Sequence, residues 1–289
     1  MASTFADRDL LPDSVKPINY DISLYDIELG GEWSYEGTVG ILARVTESTK
    51  ELVLNSIDLE IHGAEVSDAE KTQETIKSTA ISYDTKAQRA TLTFSQNLAV
   101  SDTTLIIIKF KGQINDGMHG FYRSKYKIPN TTDDELHHML STQFEACDAR
   151  RAFPCFDEPN LKATFDVQIE IPEGQVALSN LPQKKVTKSK NGRQVVAFEQ
   201  TPRMSTYLLA WAVGDFEYAE AFTERKYNGK QLPVRVYTTK GLKGQATWAL
   251  EHATKIIDYF SDIFGIEYPL PKSDLLAVHE FVSGIPSSV

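Results

Sequence analysis

The sequence predicts a mainly β protein, with a large antiparallel sandwich or saddle over residues 1–214 and the beginning of a mixed α/β unit over residues 215–289. Three observations carry this expectation. Apolar residues alternate with period 2 from Pro17 to about Val213, turn-forming residues divide those runs, and a helical apolar stripe occurs only after Gly214.

The alternating runs are Tyr20-Ile22-Leu24, Val39-Ile41-Ala43-Val45, Leu92-Phe94 and Phe165-Val167-Ile169-Ile171. Each is a pattern in which one strand face lies in a core. Leu105–Ile108 is apolar at every position and is expected to be a central strand packed on both faces. Gly30-Gly31, Asn115-Asp116-Gly117 and Pro172-Glu173-Gly174 supply turn chemistry between runs. Asn191-Gly192 lies between Val186–Lys190 and Gln194–Phe198 and predicts a tight hairpin. The lysines at 184, 185, 188 and 190 are read as the solvated side chains of that hairpin.

After Gly214, Leu232–Tyr237 reads as a strand. Gln245–Phe264 reads as a helix, because Ala249, Leu250, Ala253, Ile256, Ile257, Phe260, Ile263 and Phe264 share one face. Gly265 is placed to end it. Pro269 and Pro271 exclude further helix, and Leu275–Val278 is expected to be a short buried strand.

The chain carries 40 acidic and 30 basic residues, a net charge of −10. That balance disfavours nucleic acid or an anionic membrane as partner. The longest apolar stretches, Leu105–Ile108 and Tyr207–Val213, fall far short of a membrane span. Met1–Val15 contains acids and no apolar run of signal-peptide length. Cys147 and Cys155 read as two reduced thiols, so a cytoplasmic location is expected.

The densest polar cluster is Gln143–Pro159, with four carboxylates, two arginines and a glutamine among three phenylalanines. Spacing alone favours ion pairs among Asp148, Arg150, Arg151, Asp157 and Glu158 that pin a loop. Acids among aromatic rings could instead pair with an ammonium group.

Thr142–Phe165 resembles the N-terminal signature of the aminopeptidase N and puromycin-sensitive aminopeptidase family of zinc peptidases. Pro12–Tyr20, Gly120–Ser124, Ala177–Asn180, Thr201–Ala210 and Pro271–Phe281 match the same family in order. The resemblance covers roughly residues 10 to 284. It implies a saddle-shaped β domain followed by a thermolysin-like catalytic domain. It also implies peptides with a free N-terminus as substrates. Gln143 would line the first specificity pocket, and Glu145 would help bind the substrate's α-amine. A carboxylate is the natural counter-charge for an ammonium. The other acids and arginines of the segment stay assigned to scaffolding.

Zinc is implied for the whole family enzyme, held by a His-Glu-x-x-His helix and a distant Glu. None of His62, His119, His137, His138, His252 and His279 has a second His four residues on. His279-Glu280-Phe281-Val282-Ser283 carries Ser where a second ligand would stand, and the resemblance places it on a strand upstream of the metal helix. His137-His138 is read as a solvated loop pair, because adjacent strand residues point to opposite faces. The resemblance further implies an exopeptidase loop starting at Gly284. The chain reads Gly284-Ile285-Pro286-Ser287-Ser288-Val289 instead. The expectation is therefore a chain without catalytic residues or cofactor of its own, inactive alone. A non-catalytic β-sandwich that binds peptides or proteins is the alternative.

Overall fold

A computed structural model describes residues 10–68, 75–132 and 135–280. The departure at Gly284 lies outside the described residues, as do Asp133, Asp134 and the end of the His279–Ser283 stretch. The protein is mainly β, built from large antiparallel sheets, as the period-2 pattern predicts. The chain divides into two compact units. One comprises residues 1–113, 144–166 and 202–207, and the other residues 114–143, 167–201 and 208–289.

In the first unit the strands are β1 (Val15–Tyr25), β2 (Ser34–Val45), β3 (Thr49–Asn55), β4 (Leu59–Asp68), β5 (Ile76–Asp84), β6 (Arg89–Leu98) and β7 (Ser101–Gln113). They lie in the order β1-β2-β7-β4-β5-β6-β3. A register shift between Pro17 and Asn19 changes the phase of β1, so Val15 and Pro17 are buried before it and Tyr20, Ile22 and Leu24 after it. That bulge leaves Ile18 in solvent. β7 is central, between β2 and β4, as Leu105–Ile108 predicts. The expectation of burial on both faces needs correcting. Ile106 and Ile108 are fully buried, but Leu105 and Ile107 are only half-buried, because the opposite face is partly open.

Two glycines shape this sheet. Gly37 faces Phe110 and Gly112 faces Tyr35 across the β2–β7 ladder. The two rings fold over the glycines and meet edge to face, with centroids 6.3 Å apart. A Cβ at Gly112 would stand 2.3 Å from Tyr35 Cζ, and one at Gly37 2.3 Å from Phe110 Cζ. Both aromatic side chains are completely buried, so neither ring has room to retreat.

The second unit contains β8 (Gly120–Tyr126), β9 (His137–Gln143), β11 (Val176–Ser179), β12 (Gln183–Lys188), β13 (Arg193–Phe198), β14 (Trp211–Gly214), β15 (Phe216–Tyr227), β16 (Lys230–Thr239), α1 (Thr247–Phe264) and β17 (Ser273–Leu276). The intervening strand β10 (Thr164–Pro172) starts in the first unit and continues into the second. Its later half pairs with β13, which pairs with β12. Asn191 and Gly192 have φ of 56° and 69°, and Arg193 N donates to Lys190 O at 3.2 Å. This is the tight hairpin that Asn-Gly predicts. The remaining sheets run β11-β14-β9-β8 and β15-β16-β17.

Helix α1 ends at Gly265, which takes the left-handed conformation at φ 62°. Its inner face packs on β15 and β16 through Ala246, Ala249, Leu250, Ala253 and Ile257. The predicted stripe is wider than this contact. Trp248, Ile256, Phe260, Ile263 and Phe264 point to solvent. The short strand expected at Leu275–Val278 lies at Ser273–Leu276, parallel to β16. Its buried positions are not the leucines but Asp274 and the preceding Lys272. Lys272 Nζ donates to Asp274 Oδ2 at 2.6 Å and to the Ser179 carbonyl of β11 at 2.8 Å, so the ammonium is paired, while Asp274 Oδ1 accepts no hydrogen bond from the described residues. Burial lowers the pKa of Lys272, and Asp274 opposes that shift.

Substituting Gly112→Ala should drive a methyl into the Tyr35 ring and destabilise the protein by about 1–3 kcal/mol. Urea unfolding checks this. An unchanged midpoint would mean that the ring is free to move.

Candidate functional site

The candidate segment begins where β9 ends. Gln143 is the last residue of β9, half-buried and aligned with Gly120 of β8 in the second unit. Phe144 opens the next stretch of the first unit and is fully buried, with its ring edge-on to Phe153 at 6.2 Å. Glu145 follows in a turn closed by Asp148 N donating to Phe144 O at 2.9 Å, and it is exposed to solvent. Phe144 thus anchors the turn through apolar burial, which leaves the next side chain, Glu145, outside.

The same segment carries a buried charge network in the first unit. The side chain of Asp157 is only 1% exposed, and that of Arg150 12%. Arg150 Nε donates to Asp157 Oδ2 at 2.9 Å, and Arg150 Nη2 to the Asp157 carbonyl at 3.1 Å. The other carboxylate oxygen accepts from Thr206 Oγ1 at 2.5 Å, while Asp157 N donates to Asn55 Oδ1 at 3.0 Å. Gln88 Oε1 accepts from Arg150 Nη1 at 3.1 Å. Arg151 bonds to Asp148 through Nε at 2.8 Å and also reaches Asp58. Glu158 accepts from Leu11 N at 2.5 Å. The five charged residues assigned to scaffolding are therefore all engaged inside the protein.

The sheet holds the same segment by its backbone. Tyr20 Oη accepts from Phe156 N at 3.0 Å, and Tyr35 Oη donates to the Ala152 carbonyl at 2.8 Å. Asn55 and Cys155 exchange two backbone bonds, of 2.8 and 3.2 Å. Tyr20 also stacks on Phe165 with centroids 5.0 Å apart. Asn55, Gln88 and Thr206 are partners that no local sequence signal indicated. Each lies dozens of residues from Asp157 or Arg150, and only the fold brings them there.

The described residues do not assemble a site for the implied zinc. Among the described residues no group of three or more His, Cys, Asp or Glu side chains could hold a metal. The histidines are otherwise engaged. His62 lies between Glu36 and Glu60, but they sit at opposite ring nitrogens, at 3.2 and 3.9 Å. His119 Nδ1 is 2.8 Å from the Gly117 carbonyl, and His252 Nδ1 2.8 Å from the Trp248 carbonyl. His279 Nε2 lies 2.7 Å from Thr239 Oγ1, with its ring stacked on Tyr126. The His137-His138 pair is not a solvated loop. Both residues lie in β9 and are half-buried, and His137 stacks on Tyr126 with centroids 5.6 Å apart. The alternation of β9 puts their side chains on opposite faces.

Residues 16–208 match the family description of the Peptidase M1 N-terminal domain. The chain belongs to the M1 aminopeptidase family. It is 41% identical to Aminopeptidase M1-A of Oryza sativa subsp. japonica, over 98% of this chain and 31% of that protein. It is 38% identical to Aminopeptidase 2, mitochondrial, of Saccharomyces cerevisiae, over 96% of this chain and 28% of that protein. Identity to the Puromycin-sensitive aminopeptidase of Caenorhabditis elegans is also 38%, over 95% of this chain and 28% of that one. The chain thus spans less than a third of the length of these relatives. No helix among the described residues is long and apolar enough to cross a membrane.

Two outcomes are expected of this segment. Asp157→Ala would strand the Arg150 guanidinium in a nearly dry site and should cost about 3–5 kcal/mol, whereas Arg151→Ala at the rim should cost under about 1 kcal/mol. Equal unfolding midpoints for the two variants in guanidinium would contradict this account. The thiols should also differ. Cys147 is exposed, while Cys155 is buried and burial raises its pKa, with Asp157 adding to the shift. A thiol reagent should therefore label Cys147 in the native protein and reach Cys155 only on unfolding. Equal labelling of both under native conditions would show that the Asn55–Cys155 contact opens.

Proposed function

We propose that this chain is the N-terminal part of a zinc aminopeptidase, in which residues 1–214 form the β domain and residues 215–289 begin the catalytic domain. The whole enzyme removes N-terminal residues from peptides. The observation that carries the reading is the placement of Glu145. It is an exposed carboxylate in the turn directly after β9, in the segment that goes on to carry the Arg150–Asp157 network. A carboxylate at the surface is the natural counter-charge for an ammonium group. Gln143, half-buried at the end of β9, is assigned to the wall of the first specificity pocket.

The chain's own residues do part of this work. Glu145 attracts the substrate α-amine, and the Phe144 anchor sets its height along the chain. The residues that would hold zinc do not occur among the described histidines and acids, so no catalytic step is assigned to this chain. One carboxylate acting alone gives only feeble peptide affinity. The two free thiols, Cys147 and Cys155, support assignment to the cytoplasm.

Purified 289-residue protein should bind no stoichiometric zinc and release no chromophore from aminoacyl nitroanilides. One tight zinc per chain by metal analysis, or turnover abolished by a chelator, would overturn the proposal. A peptide with a free N-terminus should perturb the NMR signals around Glu145 more than its acetylated form does. Glu145→Gln should erase that difference. Equal perturbation by the two peptides would remove Glu145 from the amine site.

A further inference from the structure

The hairpin β12–β13 closes one side of its sheet, and β12 is the end strand. β12 is the only strand among the described residues exposed at every position. A strand in that place carries one row of backbone groups toward β13 and a second row toward solvent. Residues 183–193 contain Lys184, Lys185, Lys188, Lys190 and Arg193 and no acid, in a chain whose net charge is −10.

Acids in and just after β10 neutralise only part of this charge. Glu170 is used by Arg193, whose Nε donates at 3.2 Å, and by Ser189 Oγ at 2.5 Å. Glu173 is 3.6 Å from Lys188. Lys184, Lys185 and Lys190 have no ion pair among the described residues. Val186 aligns with the buried Val196 across the ladder, yet it is about half exposed at the rim of the core.

We propose that β12 is a docking strand for an acidic, extended polypeptide segment, which adds to the sheet beside it. Open backbone groups supply affinity without sequence preference, and side chains on alternate faces supply the selection. Lysines along the edge oppose pairing with a second copy of β12, because like charges would then meet across the new ladder. The same lysines favour a strand bearing Glu or Asp, and exposed Val186 offers an apolar contact to a residue on the matching face. Six residues of β12 span about 20 Å, enough for a segment of similar length. Its ligand needs no free α-amine.

The test uses the 289-residue protein and a fluorescein-labelled, N-acetylated peptide of alternating Glu and Val, read by anisotropy. Acetylation removes the amine that Glu145 would take, so failure here leaves the amine site untouched. Saturable binding is expected, weakened at least about tenfold by the double substitution Lys184→Glu/Lys185→Glu. Methylating alternate amides of the peptide, which leaves its charge intact, should abolish binding. Amide exchange in β12 should slow when the unmodified peptide is bound. Equal binding of the methylated peptide, or competition by inorganic polyphosphate at matched charge, would show a nonspecific anion surface and overturn the proposal. No binding, or binding indifferent to the lysine reversal, would overturn it as well.

Discussion

Asp157 carries its charge where water scarcely reaches, and the form of the acidic segment follows from how that charge is matched. A buried carboxylate is tolerable only when its lone pairs are filled. Here Arg150 fills one oxygen, Thr206 the other, and Asn55 holds the backbone alongside. The partners come from three separate stretches of sequence, so the network forms only once β3, the 149–157 loop and the Pro202–Tyr207 stretch are together. Phe144, Phe153 and Phe156 seal the same region with apolar area.

The second unit also buries a charged pair. Lys272 and Asp274 are buried two residues apart, and the ammonium also fills the carbonyl of Ser179 in β11. A stretch that looks like an ordinary apolar strand thus contributes a bonded ion pair to the interior. Helix α1 shows the opposite condition. Alanines at 246, 249 and 253 let it lie close to β15 and β16, while Trp248, Phe260, Ile263 and Phe264 remain in water. An apolar row of that size is a surface prone to association.

Much of the β architecture was legible because alternation and turn chemistry are local signals. Tyr20, Ile22, Val39, Ile41, Phe165 and Ile169 occupy the buried faces that period 2 assigns them. The Asn191-Gly192 turn was legible because two successive positive φ angles favour those residues. β15 was not anticipated. Its Phe216-Tyr218-Ala219-Ala221 sequence is broken by glutamates, and its pairing with β16 supplies the order that its own pattern lacks. The half-open face of β7 was missed for a similar reason, since apolar identity does not report whether anything lies opposite.

By itself the sequence determined the strand periods, the turns, the helix stop at Gly265 and the ordered motifs that mark the family. Those are properties of neighbours along the chain, set by backbone sterics and side-chain period. Only the tertiary structure decided how far each acid is withdrawn from water. Glu145 and Asp157 look alike in the sequence, each a carboxylate close to a phenylalanine. One lies in a surface turn and the other in a dry pocket filled by Arg150, Thr206 and Asn55. The difference is desolvation. It depends on residues far away in the chain, and no local pattern records it.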